Sequence, residues 1–465
     1  MTATTAADLE AGGRVRGSIL DAGHRLATLG AVLVITVVAV DAMAVATIMP
    51  TTVRDLHGLR YYAWAFTAFF IADVIGIVDA GARCDRHGPG RSLLGGMGLF
   101  AGGLVMAGAA PVMAVFVAGR AVQGLGAGMI VVALYVVMAR AYDESLRPKA
   151  FAAISAAWVV PALVGPAAAG AVASGPGWRW VFVGMLPLVL VGLALLGPVL
   201  RGLPSAAGGA GLRRGGLVVA VLVASGLAAV QYAGQQPGWW SIPLVVLGLA
   251  LMLPALRRFL PDGTLRLRRG LPATVALRGI LAGGFFGAEA YLPLALTRVH
   301  GASPATAGLP LTVGALGWAA GSWVQGRASE AVRRRLLPLG FAVVATGIGP
   351  LALVASSSHV TMWLALPLWC VAGLGMGLAM PSISVLTLSM SPEREQGANS
   401  AALQICDVTC SVVTIGAGGG LVAWAQSGAI GLGAAIAAID LAMAGIAVLG
   451  VLASRRAGHA TGVAD

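Results

Sequence analysis

Phe116-Val117-Ala118-Gly119-Arg120-Ala121-Val122-Gln123-Gly124-Leu125-Gly126-Ala127-Gly128 sets an arginine in the middle of an apolar run. An ionised guanidinium in hydrocarbon costs at least about 2.5 kcal/mol, so it needs a partner, a water-lined cavity, or both. The glycines beside it let a second helix backbone approach closely. The stretch therefore predicts a buried membrane helix. Its charge either ties two helices together or belongs to a transport path.

The rest of the chain agrees. Of 465 residues, 58% are hydrophobic and 10% charged, with a mean hydropathy of +0.88. No soluble globular domain has that composition. Many apolar runs reach the roughly 20 residues needed to cross about 30 Å of hydrocarbon, so an all-α membrane protein in a lipid bilayer is expected. A net charge of +12 in a soluble protein would suggest nucleic acid. Here the basic residues lie in short segments between apolar runs, a pattern of topology, and no nucleic-acid partner is expected. Cys84, Cys370, Cys406 and Cys410 form no CxxC pair, so neither a disulfide framework nor a metal site is indicated. No GxxxxGK[ST], HExxH or GxSxG pattern appears, which argues against ATP hydrolysis, an enzyme, or a cofactor. The first apolar run is too long, and carries Asp41, for a cleavable signal peptide.

Apolar runs between charged or Pro/Gly-rich breaks predict fourteen spans. The first six cover 26–50, 63–82, 92–110, 112–139, 150–173 and 180–200, and an extra pair follows at 216–233 and 241–256. The last six cover 273–297, 306–325, 336–355, 361–389, 398–424 and 429–453. The expected organisation is a tail at 1–25, a six-helix half at 26–200, a linker with two extra helices at 201–272, a second half at 273–453, and a tail at 454–465. With the N-terminus inside, 24 basic residues fall in inside segments, among them Arg14, Arg16, Arg213, Arg214 and Arg394. The outside segments keep only Arg54, Arg60, Arg179 and Arg298. That asymmetry predicts cytoplasmic termini, and Tyr61, Tyr62, Trp64, Trp178, Trp180, Trp239 and Trp240 fall where an outer interfacial belt is expected.

The chain is also duplicated. Gln123-Gly124-Leu125-Gly126-Ala127-Gly128-Met129 is echoed by Ala372-Gly373-Leu374-Gly375-Met376-Gly377-Leu378, and Gly81-Ala82-Arg83-Cys84-Asp85 by Gly326-Arg327-Ala328-Ser329-Glu330. Two related halves are a transporter architecture, with the site near the midplane between them. The proton candidates are the carboxyls within the spans: Asp41, Asp73, Asp79, Glu289, Asp407 and Asp440. A carboxyl in a low-dielectric interior holds its proton more readily than one in water. Asp41 and Glu289 lie at similar depths in corresponding spans. Asp407 shares a face with Gln404, where an interhelical hydrogen bond is the alternative. Arg278, near the start of its span, reads as a snorkelling side chain. Tyr135, Trp158, Phe286, Tyr291 and Met376 are candidates for an adaptable apolar pocket, with helix packing as the alternative.

At this point the residues resemble a known family. Asp41-Ala42-Met43-Ala44-Val45-Ala46-Thr47-Ile48-Met49-Pro50 keeps the Asp-to-Pro spacing of the fourteen-helix drug/proton antiporters of the major facilitator superfamily, without the usual Thr and Asn between. The loop expected after the second span, Gly81 to Arg91 with Asp85, Arg86 and Gly88, resembles motif A, although Pro89-Gly90 replaces its basic pair. Arg120-Ala121-Val122-Gln123-Gly124 matches motif B, and Pro161 to Gly170, with Gly165 and Pro166, looks like motif C, the antiporter signature. The resemblance implies the major facilitator fold in a bacterial plasma membrane, as a monomer. It implies proton-coupled export of drugs or other amphipathic small molecules, through Asp41, Arg120, Glu289 and Asp407. A motif A gate latch would form around Asp85, Arg86 and Arg91. The alternatives are an exporter of one endogenous metabolite, antibiotic or lipid, and a non-transporting sensor on the same fold.

Overall fold

The computed structural model describes residues 18–143, 146–202, 216–236, 241–328, 330–392 and 395–457. Most of both expected tails, with Arg14, Arg16, Arg213, Arg214, Arg394, Trp239 and Trp240, lies outside the described residues. The first set of helices is α1 (Arg25–Asp55), α2 (Tyr62–His87), α3 (Pro89–Gly108), α4 (Met113–Ala141), α5 (Arg147–Ser174), a short α6 (Arg179–Val183) and α7 (Leu186–Gly202). Then come the inserted pair α8 (Gly216–Gly234) and α9 (Ser241–Leu256). The second set opens with α10 (Leu271–Glu289) and α11 (Leu292–Arg298), then α12 (Pro304–Arg327), α13 (Glu330–Ile348) and α14 (Leu351–Ser356). It ends with α15 (Ala365–Ser389), α16 (Gln396–Gln426) and α17 (Leu432–Ser454).

Every expected span has its helix, and twelve helices among the described residues are long and apolar enough to cross a membrane. Two of the fourteen expected spans fall short of that standard. α9 has only 16 residues, or about 24 Å at 1.5 Å per residue. α12 is long enough, but its glycines, its tryptophans and Pro310 lower its hydropathy. A further difference concerns motif A. Gly81, Asp85 and Arg86 are not in a loop but in the last turns of α2, because nothing breaks the helix before Gly88. Gly88 turns the chain at φ 80°, and Pro89 starts α3 at the position where its missing N–H does no harm.

Glycine decides how closely the helices pack. A Cβ on Gly124 would lie 2.0 Å from the Phe69 carbonyl oxygen of α2, and one on Gly126 would lie 2.5 Å from the Phe100 nitrogen of α3. The second half repeats the pattern. A Cβ on Gly373 would meet the Gly314 carbonyl oxygen of α12 at 2.0 Å, and one on Gly375 the Gly340 carbonyl oxygen of α13 at 2.5 Å. So α4 is gripped between α2 and α3 as α15 is between α12 and α13, and the duplication read in the sequence is a duplication of backbone contact.

Two seams join the halves. Along one, α5 packs on α12; along the other, α2 packs on α16, with α8 against both. Tyr142, just past α4, stacks on His24 before α1, and Gly270 before α10 donates to the Arg456 carbonyl past α17. Tyr62, at the start of α2, instead reaches Ala290 beyond α10. The described ends of the chain therefore lie at one end of the bundle, and Tyr62 lies at the other.

Candidate functional site

Arg120 is 2% exposed and Asp41 fully buried. The arginine's Nη1 donates to Asp41 Oδ2 at 2.7 Å and to Gln123 Oε1 at 2.6 Å, and its Nε donates to the Ala65 carbonyl at 3.1 Å. The guanidinium carbon sits 4.5 Å from the centre of the Phe69 ring, a cation–π contact that strengthens when desolvated. Motif B thus has a local logic. Gln123 lies one turn from Arg120 and orients it, while Gly124 admits the α2 backbone that supplies Phe69 and the Ala65 carbonyl. Among the described residues Asp41 Oδ1 and Gln123 Nε2 have no hydrogen-bond partner, so the cluster retains polar capacity for a proton or a polar ligand.

A second buried pair was not legible in the sequence. Arg278 of α10 donates from Nε to Asp407 Oδ2 of α16 at 2.8 Å, and from Nη1 to Ser384 Oγ of α15 at 3.4 Å. The snorkelling expected of Arg278 is corrected. With a carboxylate on the facing helix, its guanidinium turns inward, and its side chain is only 11% exposed. The signal available was Asp407 itself, an acid in an apolar helix that needed a cation.

Glu289 does not mirror Asp41, for no arginine faces it. It is the last residue of α10, and among the described residues it makes no hydrogen bond or ion pair. The chain breaks there and restarts as α11. Asp73 lies on α2 beside Gly128, and Asp440 is buried in α17. Asp79 pairs with Arg83 one turn along α2 at 2.6 Å. The expected latch through Asp85, Arg86 and Arg91 is not seen among the described residues; all three are exposed, and none takes part in an ion pair there. Gly88 and Arg91 instead line a cleft of about 650 Å³ with the end of α7.

Motif C forms part of a seam. A Cβ on Gly170 would lie 2.7 Å from the Ala305 Cα of α12, and the Pro166 carbonyl lies equally close to where a Cβ on Gly308 would be. Pro161 and Pro166 are inside α5, and Gly165 faces Met43 of α1. The apolar-pocket candidates do not gather. Met376 and Tyr291 are fully buried, so neither lines an open cavity. Tyr135 is exposed and stacks on Phe151, while Phe286 packs edge-on to Phe285. Trp158 is half-buried.

Tyr62 and Trp178, expected in an interfacial belt, are also inside. Trp178 donates to Asp55 at 3.1 Å. The Tyr62 hydroxyl donates across the seam to the Ala290 carbonyl at 2.6 Å, and its ring stacks on Tyr291 with centroids 5.5 Å apart. The Tyr291 hydroxyl in turn donates to the Ile415 carbonyl of α16. This aromatic seal closes the end away from the termini. Tyr62→Phe removes one seam-crossing hydrogen bond worth about 1 kcal/mol, and is expected to shift the closed-to-open balance of this end about fivefold toward open. Hydrogen exchange of the Ala290 to Leu294 amides measures it, and unchanged protection would rule the seal out as a determinant of that balance.

Comparison with known proteins places this arrangement. Residues 31–414 match the Major Facilitator Superfamily. A probable multidrug-efflux transporter of Mycobacterium tuberculosis is 27% identical over 450 residues, covering 89% of this chain and 90% of that protein. Multidrug resistance protein 3 of Bacillus subtilis is 24% identical over 393 residues, covering 82% and 76%. Among solved structures, an auto-inhibited POT family peptide transporter superposes with a TM-score of 0.68 at 14% identity, covering 94% of this chain and 99% of that one. A D-xylose–proton symporter gives 0.60 at 17% identity, covering 92% and 95%. Their likeness is one of fold. With a family match across most of its length and two glycine-gripped halves around buried charge, this chain is a transporter of the Major Facilitator Superfamily, not an enzyme.

Proposed function

We propose that the protein is a proton-coupled secondary transporter that exports drugs or other amphipathic small molecules by alternating access. In this reading it crosses a bacterial plasma membrane fourteen times as a monomer, α9 and α12 included, with both termini in the cytoplasm. The domain limits are those of the two halves and the inserted pair. The observation that carries the proposal is the buried Arg120–Asp41 pair, 2.7 Å apart between α4 and α1. An ionised Asp41 holds the guanidinium. A proton arriving on Asp41 cancels that attraction and frees Arg120 to release Gln123 and the α2 carbonyl, loosening three helices at once. Arg278 and Asp407 offer the second half a comparable charge to lose. Glu289, at the break beside the aromatic seal, is suited to relay protonation to that end.

The names of the two relatives support efflux of drugs. Trp158 and Phe286, half-buried near the seams, are the substrate-contact candidates kept. Motif C brings α5 against α12 with little side chain between, as a sliding seam needs. Motif A's Asp85, Arg86 and Arg91 make no ion pair among the described residues in the conformation whose far end is closed, and would latch in the alternate one. Moving one charge through 100 mV supplies about 2.3 kcal/mol. At roughly 150 mV that is about 3.5 kcal/mol per proton, enough for a substrate gradient of a few hundredfold. Proteoliposomes loaded with a fluorescent amphipathic cation test the reading. Flux is expected to start with an imposed pH step and stop when an uncoupler collapses it. Flux indifferent to the pH step would refute proton coupling.

A further inference from the structure

The end of the bundle away from the termini carries few basic residues: Arg54, Arg60, Arg179 and Arg298. Three of these four converge. Arg54 at the end of α1, and His57, Leu59 and Arg60 from the turn between α1 and α2, meet Arg298 at the end of α11 and Gln426 at the end of α16 around a cleft of about 460 Å³. The walls belong to different halves. Arg54, His57 and Arg60 come from the first, and Arg298 and Gln426 from the second. The neighbouring acid is Asp55, 3.4 Å from Arg54 and also held by the Trp178 indole. Arg60 lies over the Tyr61 ring at 4.8 Å, and Arg298 makes no ion pair among the described residues. His57 is held at a φ of 50°, in the left-handed region that a side chain other than glycine rarely adopts. That turn presents the imidazole and Arg60 to the cleft.

We propose that this cleft is an anion site that clamps the two halves together, taking a phosphate-type oxyanion between Arg60 and Arg298. Like charges brought to one cleft repel, and they favour separation of the walls. A doubly charged oxyanion reverses the sign, because it accepts hydrogen bonds from guanidinium groups on both sides. The walls lie together only while the Tyr62–Tyr291 seal is shut, since opening this end carries Arg298 and Gln426 away from Arg60. The anion thus binds the closed form and shifts the population toward it. The site stands whether or not the protein couples to protons, because it needs only the two halves and their seam.

The experiment uses the full chain in phosphatidylcholine nanodiscs, with inorganic phosphate as the probe. Titrating phosphate at constant ionic strength is expected to slow hydrogen exchange in the Gly58 to Tyr62 and Leu292 to Arg298 segments, saturably. Arg60→Gln and Arg298→Gln, both at exposed positions, should each weaken the phosphate midpoint about tenfold, because each removes one wall. Phosphatidylglycerol nanodiscs without phosphate form a second arm. Protection there alone keeps the site and assigns the phosphate to a lipid headgroup; protection with free phosphate alone assigns it to the aqueous anion. The proposal is overturned by no protection in either arm, by equal protection from chloride, or by loss in only one variant. That last result would mean a one-sided surface charge and not a clamp.

Discussion

Arg120→Ala is expected to abolish gradient-driven efflux and to lower the protein's stability by about 3–5 kcal/mol. The two effects have one cause. The mutation leaves Asp41, fully buried, without the guanidinium it pairs with, and also strips Gln123 and the Ala65 carbonyl of their donor. Asp41→Asn removes less structure. An amide still accepts from Arg120, so the loss is about 2 kcal/mol, the scale of one charged hydrogen bond, yet the carboxyl that the proposed coupling protonates is gone. The decisive comparison is the double variant Asp41→Ala with Arg120→Met. Replacing a buried ion pair by apolar side chains is often neutral or stabilising, so thermal unfolding in detergent should recover the part of the loss caused by the unpaired Asp41 charge, though not the part from Gln123 and the Ala65 carbonyl, while efflux stays absent. A double variant that still pumps under a pH step would remove this pair from the mechanism. One that stays as unstable as Arg120→Ala would mean the site packs through more than its charges.

The second large effect belongs to the glycines. Gly124→Ala and Gly373→Ala each set a Cβ 2.0 Å from a carbonyl oxygen of the facing helix. The obstacle is backbone in both cases, so the helices must separate. Overpacking of a core costs about 1–3 kcal/mol, and a rigid obstacle puts these two at the top of that range. Gly98→Ala in α3 is the control. Its Cβ would meet nothing within 4 Å, and alanine improves helix propensity by up to about 1 kcal/mol. Melting temperatures of the three purified variants test the argument directly. Equal melting would show that the bundle tolerates wider spacing than its geometry suggests.

The contrast between these sites explains what the sequence made legible. Arg120 announces itself because no arginine sits in the middle of an apolar run without a partner, and the fold supplies Asp41 of the first helix as that partner. The glycine pattern gave the gripped helices for the same reason: only protein backbone uses that space. Arg278 was misread because a cation near a helix end has two outcomes, outward to the headgroups or inward to an acid. Only the register of α16 against α10 decides between them. Helices apolar on every side give no periodic stripe to indicate which face turns inward, so Tyr62 and Trp178 were assigned to a belt and Met376 to a pocket. Motif A was read as a loop because of its charges, although nothing in it stops a helix before Gly88.

One feature of the fold bears on how the protein is made. α12 falls below the apolarity of the twelve candidate spans, yet it packs along α5 in one half and α15 in its own. Lipid rewards apolar surface and gives little to glycine, proline and tryptophan faces. A nascent segment of this kind is retained by neighbouring protein more than by oil. α5 is synthesised first and offers its motif C surface early, while α15 emerges later to complete the fit. In the proposed fourteen-span topology, assembly of the second half on the first is then part of membrane insertion itself, and a change at Gly170 or Gly308 would lower the amount of inserted protein before it altered transport.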